Sequence, residues 1–183
     1  MVEEECVTTQ MQEVMIHIRK IATVLAFVYV FVFPSYGKMD DVEEIKNVVK
    51  MYNRIVIEES KNDRHRDIRT FIKMMEEIAT HDIARKLYIW IQSWHENGLF
   101  MNARLENLSF EQVDIKDGKA EVTTKENWIY NYFDRRIGKE VLSDREIFYR
   151  VKYTLKKVKN RWLLFRIKVL EEKQKKTNQE EKR

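Results

Sequence analysis

Near residue 103 the spacing of apolar residues changes from three-and-four to two, and no other feature limits the fold of this chain as sharply. Before that point, "DDVEEIKNVVKMYNRIVIEESK" places Ile45, Val48, Val49, Tyr52 and Val56 on one helical face. Asp41 is the expected N-cap, with Glu44 three residues on as a capping-box partner. After the polar break "KNDRHRD", Ile68, Phe71, Ile72, Met75 and Ile78 outline a second, shorter helix. Thr80 is the expected cap of a third, lined by Ile83, Leu87, Ile91 and Trp94 and ended by Gly98 at C′.

Beyond residue 103 the chain reads as strands. "ARLENLSFEQVDI" alternates with a parity slip between Phe110 and Val113, the mark of a bulge, and Asp117-Gly118 is a two-residue hairpin turn. "KAEVTTKENWIYNYF" puts Ala120, Val122, Thr124, Trp128, Tyr130 and Tyr132 on one side. "RRIGK" turns the chain, and the next strand groups Ile147, Tyr149, Val151, Tyr153 and Leu155. A turn near Lys159-Asn160 leads to a last strand with Leu163, Phe165, Ile167 and Val169 on one face. Helices followed by strands predict an α+β fold, with three helices covering one face of a four-stranded antiparallel meander. Strands longer than the usual 5–6 residues curl, so a strongly curved, cone-shaped sheet with a pocket is expected.

One stretch stands apart. Ile21–Phe33 is thirteen residues with polarity only at Thr23 and Tyr29, preceded by Arg19-Lys20 and followed by Pro34-Ser35-Tyr36-Gly37. Ser35 and Gly37 suit a signal peptidase cutting before Lys38. The 22 residues from Met15 to Tyr36 also suit an uncleaved anchor, since a bilayer core needs about 20. A buried core helix is the third possibility. The first two place the bulk of the chain outside, because positive charge precedes the run. Acidic residues near Met1 fit a leader poorly, which makes Met11 and Met15 alternative starts. The expected organisation is a leader over 1–37, one domain over 38–170 and a charged, disordered tail over 171–183. One cysteine excludes an intramolecular disulfide, and a net charge of +4 is too small to demand an anionic partner.

In "WHENGLFMNARLENLSFEQVDI", "AEVTTKENW" and "REIFYRVKYTLKKVKNRWLLFRI", taken in this order, the chain resembles the nuclear transport factor 2-like superfamily over roughly residues 40–170. The resemblance is nearest to two non-enzymatic branches, the intermembrane-space domain of a plastid division protein and the C-terminal domain of a mitochondrial import-motor subunit. It implies the cone-shaped fold and, as is common in the fold, a homodimer through the sheet. Enzymes of the superfamily place an Asp, a His or Tyr residues in the cone as general base and oxyanion donor.

The acid–base candidates in this chain are His81, His95, Asp134, Tyr130, Tyr132, Tyr149 and Tyr153. His81 and His95 fall at opposite ends of one helix, Asp134 sits beside Arg135-Arg136 as a turn residue would, and tyrosines at spacing two suit sheet packing. His65 and Asp67 share a loop, but two ligands do not make a metal site. With no Gly-rich phosphate loop and no Ser-centred elbow, no cofactor or metal is expected.

Two binding surfaces are expected instead. Trp90, Trp94, Phe100, Trp128, Tyr130, Tyr149 and Tyr153 are candidates for lining an aromatic pocket that takes an apolar ligand or a partner's helix, with plain core packing as the competing reading. Lys152, Lys156, Lys157, Lys159, Arg161, Arg166 and Lys168 form a basic set, either a patch for anionic headgroups and acidic partners or a solvated face that blunts an edge strand. Nucleic acid is not an expected partner of an exported chain, whereas a membrane is one if residues 21–33 stay uncleaved. The expected function is a non-catalytic ligand-binding or interaction module outside the cytoplasmic membrane. The alternative is a small-molecule lyase or isomerase.

Overall fold

The computed structural model describes residues 40–61 and 66–175, apart from the side chains of residues 143 and 144. The expected leader over 1–37, with its apolar run, His65 and most of the expected tail lie outside the described residues. Three helices, α1 (Asp41–Lys61), α2 (Ile68–Met75) and α3 (His81–Glu96), precede four strands, β1 (Leu99–Lys116), β2 (Lys119–Asp134), β3 (Lys139–Val158) and β4 (Arg161–Gln174). The strands form one antiparallel sheet in the order β1-β2-β3-β4. Among the described residues no helix is long and apolar enough to cross a membrane.

Each turn follows from its residues. Asp117 and Gly118 have φ of 50° and 69°, and Lys159 and Asn160 have 46° and 66°. Positive φ at both central positions is what a type I′ hairpin requires. Gly98 (φ 73°) ends α3, with its N–H on the His95 carbonyl. Asp67 caps α2 by accepting from the N–H groups of Arg69 and Thr70. Thr80 stands at the expected N-cap of α3 without a side-chain cap bond. Its backbone N–H instead reaches the Leu164 carbonyl, while Leu164 donates back to Ile78, so the α2–α3 linker adds one parallel rung to the outer edge of β4.

Three expectations need correction. Asp41 lies within α1, and its carboxylate accepts from Trp162 Nε1 (3.1 Å) and Lys157 Nζ (2.6 Å), while Glu44 accepts from the Trp162 backbone N–H (3.1 Å). These acids join the helix start to the β3–β4 hairpin. On β4 the ladder shifts between Leu164, opposite Leu155, and Arg166, opposite Thr154. Phe165 is therefore the extra residue of a bulge, and the buried residues are Trp162 and Leu164, not Leu163 and Phe165. The expected tail begins too early, because Glu171–Gln174 still pair with β3.

The core lies between the helices and one face of the sheet. Ile45, Val49, Phe71, Met75, Ala84 and Ile91 from the helices meet Met101, Ala103, Ala120, Val122, Leu155 and Leu164, all at most 1% exposed. Bulges at Leu105/Asn107 and Phe110/Gln112 on β1, and shifts near Tyr132 on β2, bend the long strands.

Candidate functional site

The inner face of β2 carries a residue that its neighbours make unusual. In "VTTKENW", Glu126 falls between Thr124 and Trp128 at the same parity, so the strand turns a carboxylate toward the helices. It is 4% exposed. Its Oε1 accepts from the hydroxyls of Thr124 and Tyr153, both at 2.7 Å, and from Asn53 Nδ2 at 3.5 Å; Oε2 accepts from Trp128 Nε1 at 2.8 Å. Asn53 comes from the apolar stripe of α1, four residues after Val49, and also accepts from Tyr153 at 3.3 Å. All four groups can donate, and a carboxylate only accepts. Among the described ion pairs none involves Glu126, so its charge is solvated by dipoles alone.

Above this cluster opens a cleft of about 720 Å³. Its walls are Tyr52 and Val56 of α1, Ile83, Leu87 and Trp90 of α3, Trp128 and Tyr130 of β2, Tyr149, Val151 and Tyr153 of β3, and Phe165, Ile167 and Val169 of β4. The Trp128 and Tyr130 rings stack at 5.7 Å and 5°, consecutive positions of one strand face. Tyr52 meets Tyr153 edge-on at 6.3 Å. Burial holds the hydroxyls of Tyr52, Tyr130 and Tyr153 well above the ordinary tyrosine range, with the Glu126 charge adding to it. Tyr149 is pushed up to about 12 by burial and then by Glu172. At the mouth stand Asp82 and Lys86, paired at 2.7 Å, together with Arg166 and Glu172.

Of the aromatic residues singled out in the sequence, Trp90, Trp128, Tyr130, Tyr149 and Tyr153 line this cleft and Trp94 and Phe100 do not. Trp94 packs on Tyr132 at 4.9 Å, and Phe100 stacks on Phe133 at 5.0 Å. The remaining acid–base candidates, His81, His95, Asp134 and Tyr132, are also outside the lining. His81 bonds Glu76 on an exposed helix start. Asp134 takes Arg136 in a turn pair, which lowers its pKa.

The basic residues are dispersed. Lys152 pairs with Glu121, Lys157 with Asp41 and Arg161 with Glu77. Lys156 sits 3.8 Å over the Phe165 ring, Lys168 is opposite Lys152 in the ladder, Lys159 occupies a turn and Arg166 lines the cleft mouth. Glu126 and Asn53 are what the sequence reading lacks. The available signal was parity: each is a polar residue at a position its element's period assigns to the core.

No protein-family model and no curated protein matches the sequence. Among solved structures, the chain is similar to the intermembrane space region of chloroplast protein ARC6, with a TM-score of 0.58 and 19% identity over 71% of this chain and 96% of that one. A second solved chain, Rd1NTF2_05, overlaps at a TM-score of 0.34 with 11% identity over 68% and 97% of the two chains, a level that carries no argument. The likeness to the ARC6 region is one of fold. The described residues between 41 and 174 thus have the α+β arrangement, three helices on one face of a four-stranded antiparallel sheet, that the apolar periods predict.

Proposed function

We propose that this domain is a non-catalytic ligand-binding module, held or released outside the cytoplasmic membrane, with the aromatic cleft as its binding site. The observation carrying this reading is the pairing of an open, ring-lined cleft of about 720 Å³ with a floor carboxylate already engaged by four donors. The volume falls in the range of small-molecule sites. A general base needs a lone pair aimed at substrate, whereas the two oxygens of Glu126 are turned to Thr124, Tyr153, Asn53 and Trp128. The described histidines, His81 and His95, stand outside the lining. The tyrosine hydroxyls of the lining are kept protonated by burial and so are not bases near neutral pH.

The location rests on the pattern from Arg19 to Lys38, and the likeness to a region of an intermembrane space fits it. Two measurements test the proposal. Titration with neutral N-phenylnaphthylamine is expected to give saturable fluorescence enhancement, weakened at least fivefold by Trp90→Ala or Tyr149→Ala; a linear, unsaturable response would remove the binding reading. Intact mass and N-terminal sequence of the native chain, after separating membrane from soluble fractions, test the location. A chain starting at Lys38, or one retaining Ile21–Phe33 in the membrane, supports it. An unprocessed cytosolic chain overturns it.

A further inference from the structure

The buried acids of the described domain are not alike. Glu59 holds Arg66 at 2.9 Å and Asp134 holds Arg136 at 3.0 Å. Glu126 is buried as deeply as Glu59 and has no cation in the described ion pairs. Hydrogen bonds from neutral groups stabilise a carboxylate without cancelling its charge, so its field extends into whatever space lies next to it. That space is the cleft, whose lining includes Trp90, Trp128, Tyr130 and Tyr149, and aromatic rings attract positive charge through their quadrupoles. We infer that the cleft selects a small organic cation, an alkylammonium group carried on an apolar body, with ring faces holding the body and Glu126 supplying the uncompensated charge.

The charges at the mouth do not reverse this preference. Lys86 and Arg166 oppose it, while Asp82 and Glu172 support it, so the rim is balanced. All four are exposed, where water and salt screen them. A charge beneath the surface acts at an effective dielectric of about 20, against about 80 in water, and so about fourfold more strongly at equal distance. The buried acid dominates. Its reach is visible in the tyrosines: its charge helps to hold the protons of Tyr52, Tyr130 and Tyr153. From outside the lining, the Lys156 ammonium already lies 3.8 Å over the ring of Phe165, another cleft residue.

This inference rests on the binding reading above, and the test separates the two. Three probes of matched body are titrated into the full chain by calorimetry, with the Trp128 indole N–H followed by NMR: phenethyltrimethylammonium, phenethyl alcohol and hydrocinnamate. The expected result is at least tenfold tighter binding of the cation than of the alcohol, with the carboxylate weakest. Glu126→Gln should bring cation and alcohol within threefold of each other. Glu172→Gln, on the exposed rim, should retain most of the preference and serves where the buried variant fails to fold. Equal affinity for cation and alcohol would overturn the inference and leave the binding reading standing. Preference for the carboxylate would overturn it in favour of Lys86 and Arg166. Binding of none would remove both.

Discussion

Removing the Glu126 side chain exposes how much the domain rests on it. Glu126→Ala leaves the Trp128 indole N–H without its acceptor and the Thr124 and Tyr153 hydroxyls with only their longer ones, and a buried orphan costs about 1–3 kcal/mol. The expected loss is on the order of 3 kcal/mol, read from urea unfolding, well above that of Glu126→Gln, which keeps an acceptor. The tyrosines above it give a pH signature. A raised folded-state pKa means the native state keeps protons that the unfolded chain releases near pH 10. This contribution is therefore complete below about pH 10 and disappears as pH rises through the folded values, about 12 for Tyr149 and higher for Tyr52, Tyr130 and Tyr153. Phenolate absorbance should show these four ionising together with loss of near-UV circular dichroism. Titration of all eight tyrosines near pH 10 without unfolding would contradict the buried cluster.

Between elements, Trp162 joins α1 to the β3–β4 hairpin, as it is 1% exposed, bonds Asp41 and Glu44, and lies under Lys157. Trp162→Ala is expected to cost about 3–5 kcal/mol, as large-to-small core changes do, and Trp162→Phe clearly less. Gly118→Ala, forcing a Cβ onto φ +69°, should cost about 1–2 kcal/mol by the left-handed penalty, measured the same way. The elements themselves were legible because their periods are long and their turns contain Asp-Gly, Lys-Asn and Gly at the needed positions. Strand parity was legible past the β1 bulge, where Phe110 and Val113 flank the slip, and not on β4. Alternation predicts faces only while the ladder keeps step, and Phe165 and Leu170 each add a residue without a change in composition that would reveal it. Capping was legible only in part. Asp41 and Glu44 have the spacing of a cap, but their use by Trp162 and Lys157 depends on a hairpin more than a hundred residues away.

For the domain as a whole, the sheet order places β2 and β3 inside and β1 and β4 at the edges. Amide exchange should be slowest in Ala120–Trp128 and Val151–Leu155, where both neighbours pair and the inner face is buried, and faster along β1 beyond Ser109. Protection highest in β1 would contradict this order. The outer face is held by charge: Glu111 of β1 pairs with Lys125 of β2 and Arg150 of β3, and Arg150 reaches Glu171 of β4. Hydrogen bonds from Lys125 and Arg150 lower the Glu111 pKa, so its contribution is present above the ordinary glutamate range and is lost as pH falls below it. The cleft was legible as a set of rings, and its polar floor only through the parity of Glu126, since a glutamate in a strand otherwise reads as solvent-facing.

The turn Arg135–Gly138 joins β2 to β3 at the end of the sheet near Gly98, whose carbonyl accepts from the Arg135 N–H. A Cβ built on Gly138 meets nothing within 4 Å, and Ile137 beside it is 60% exposed. Foreign sequence can therefore be spliced after Ile137 without displacing a core atom. An epitope or a fluorophore-bearing peptide inserted there would report on the domain in living cells without altering either end of the chain.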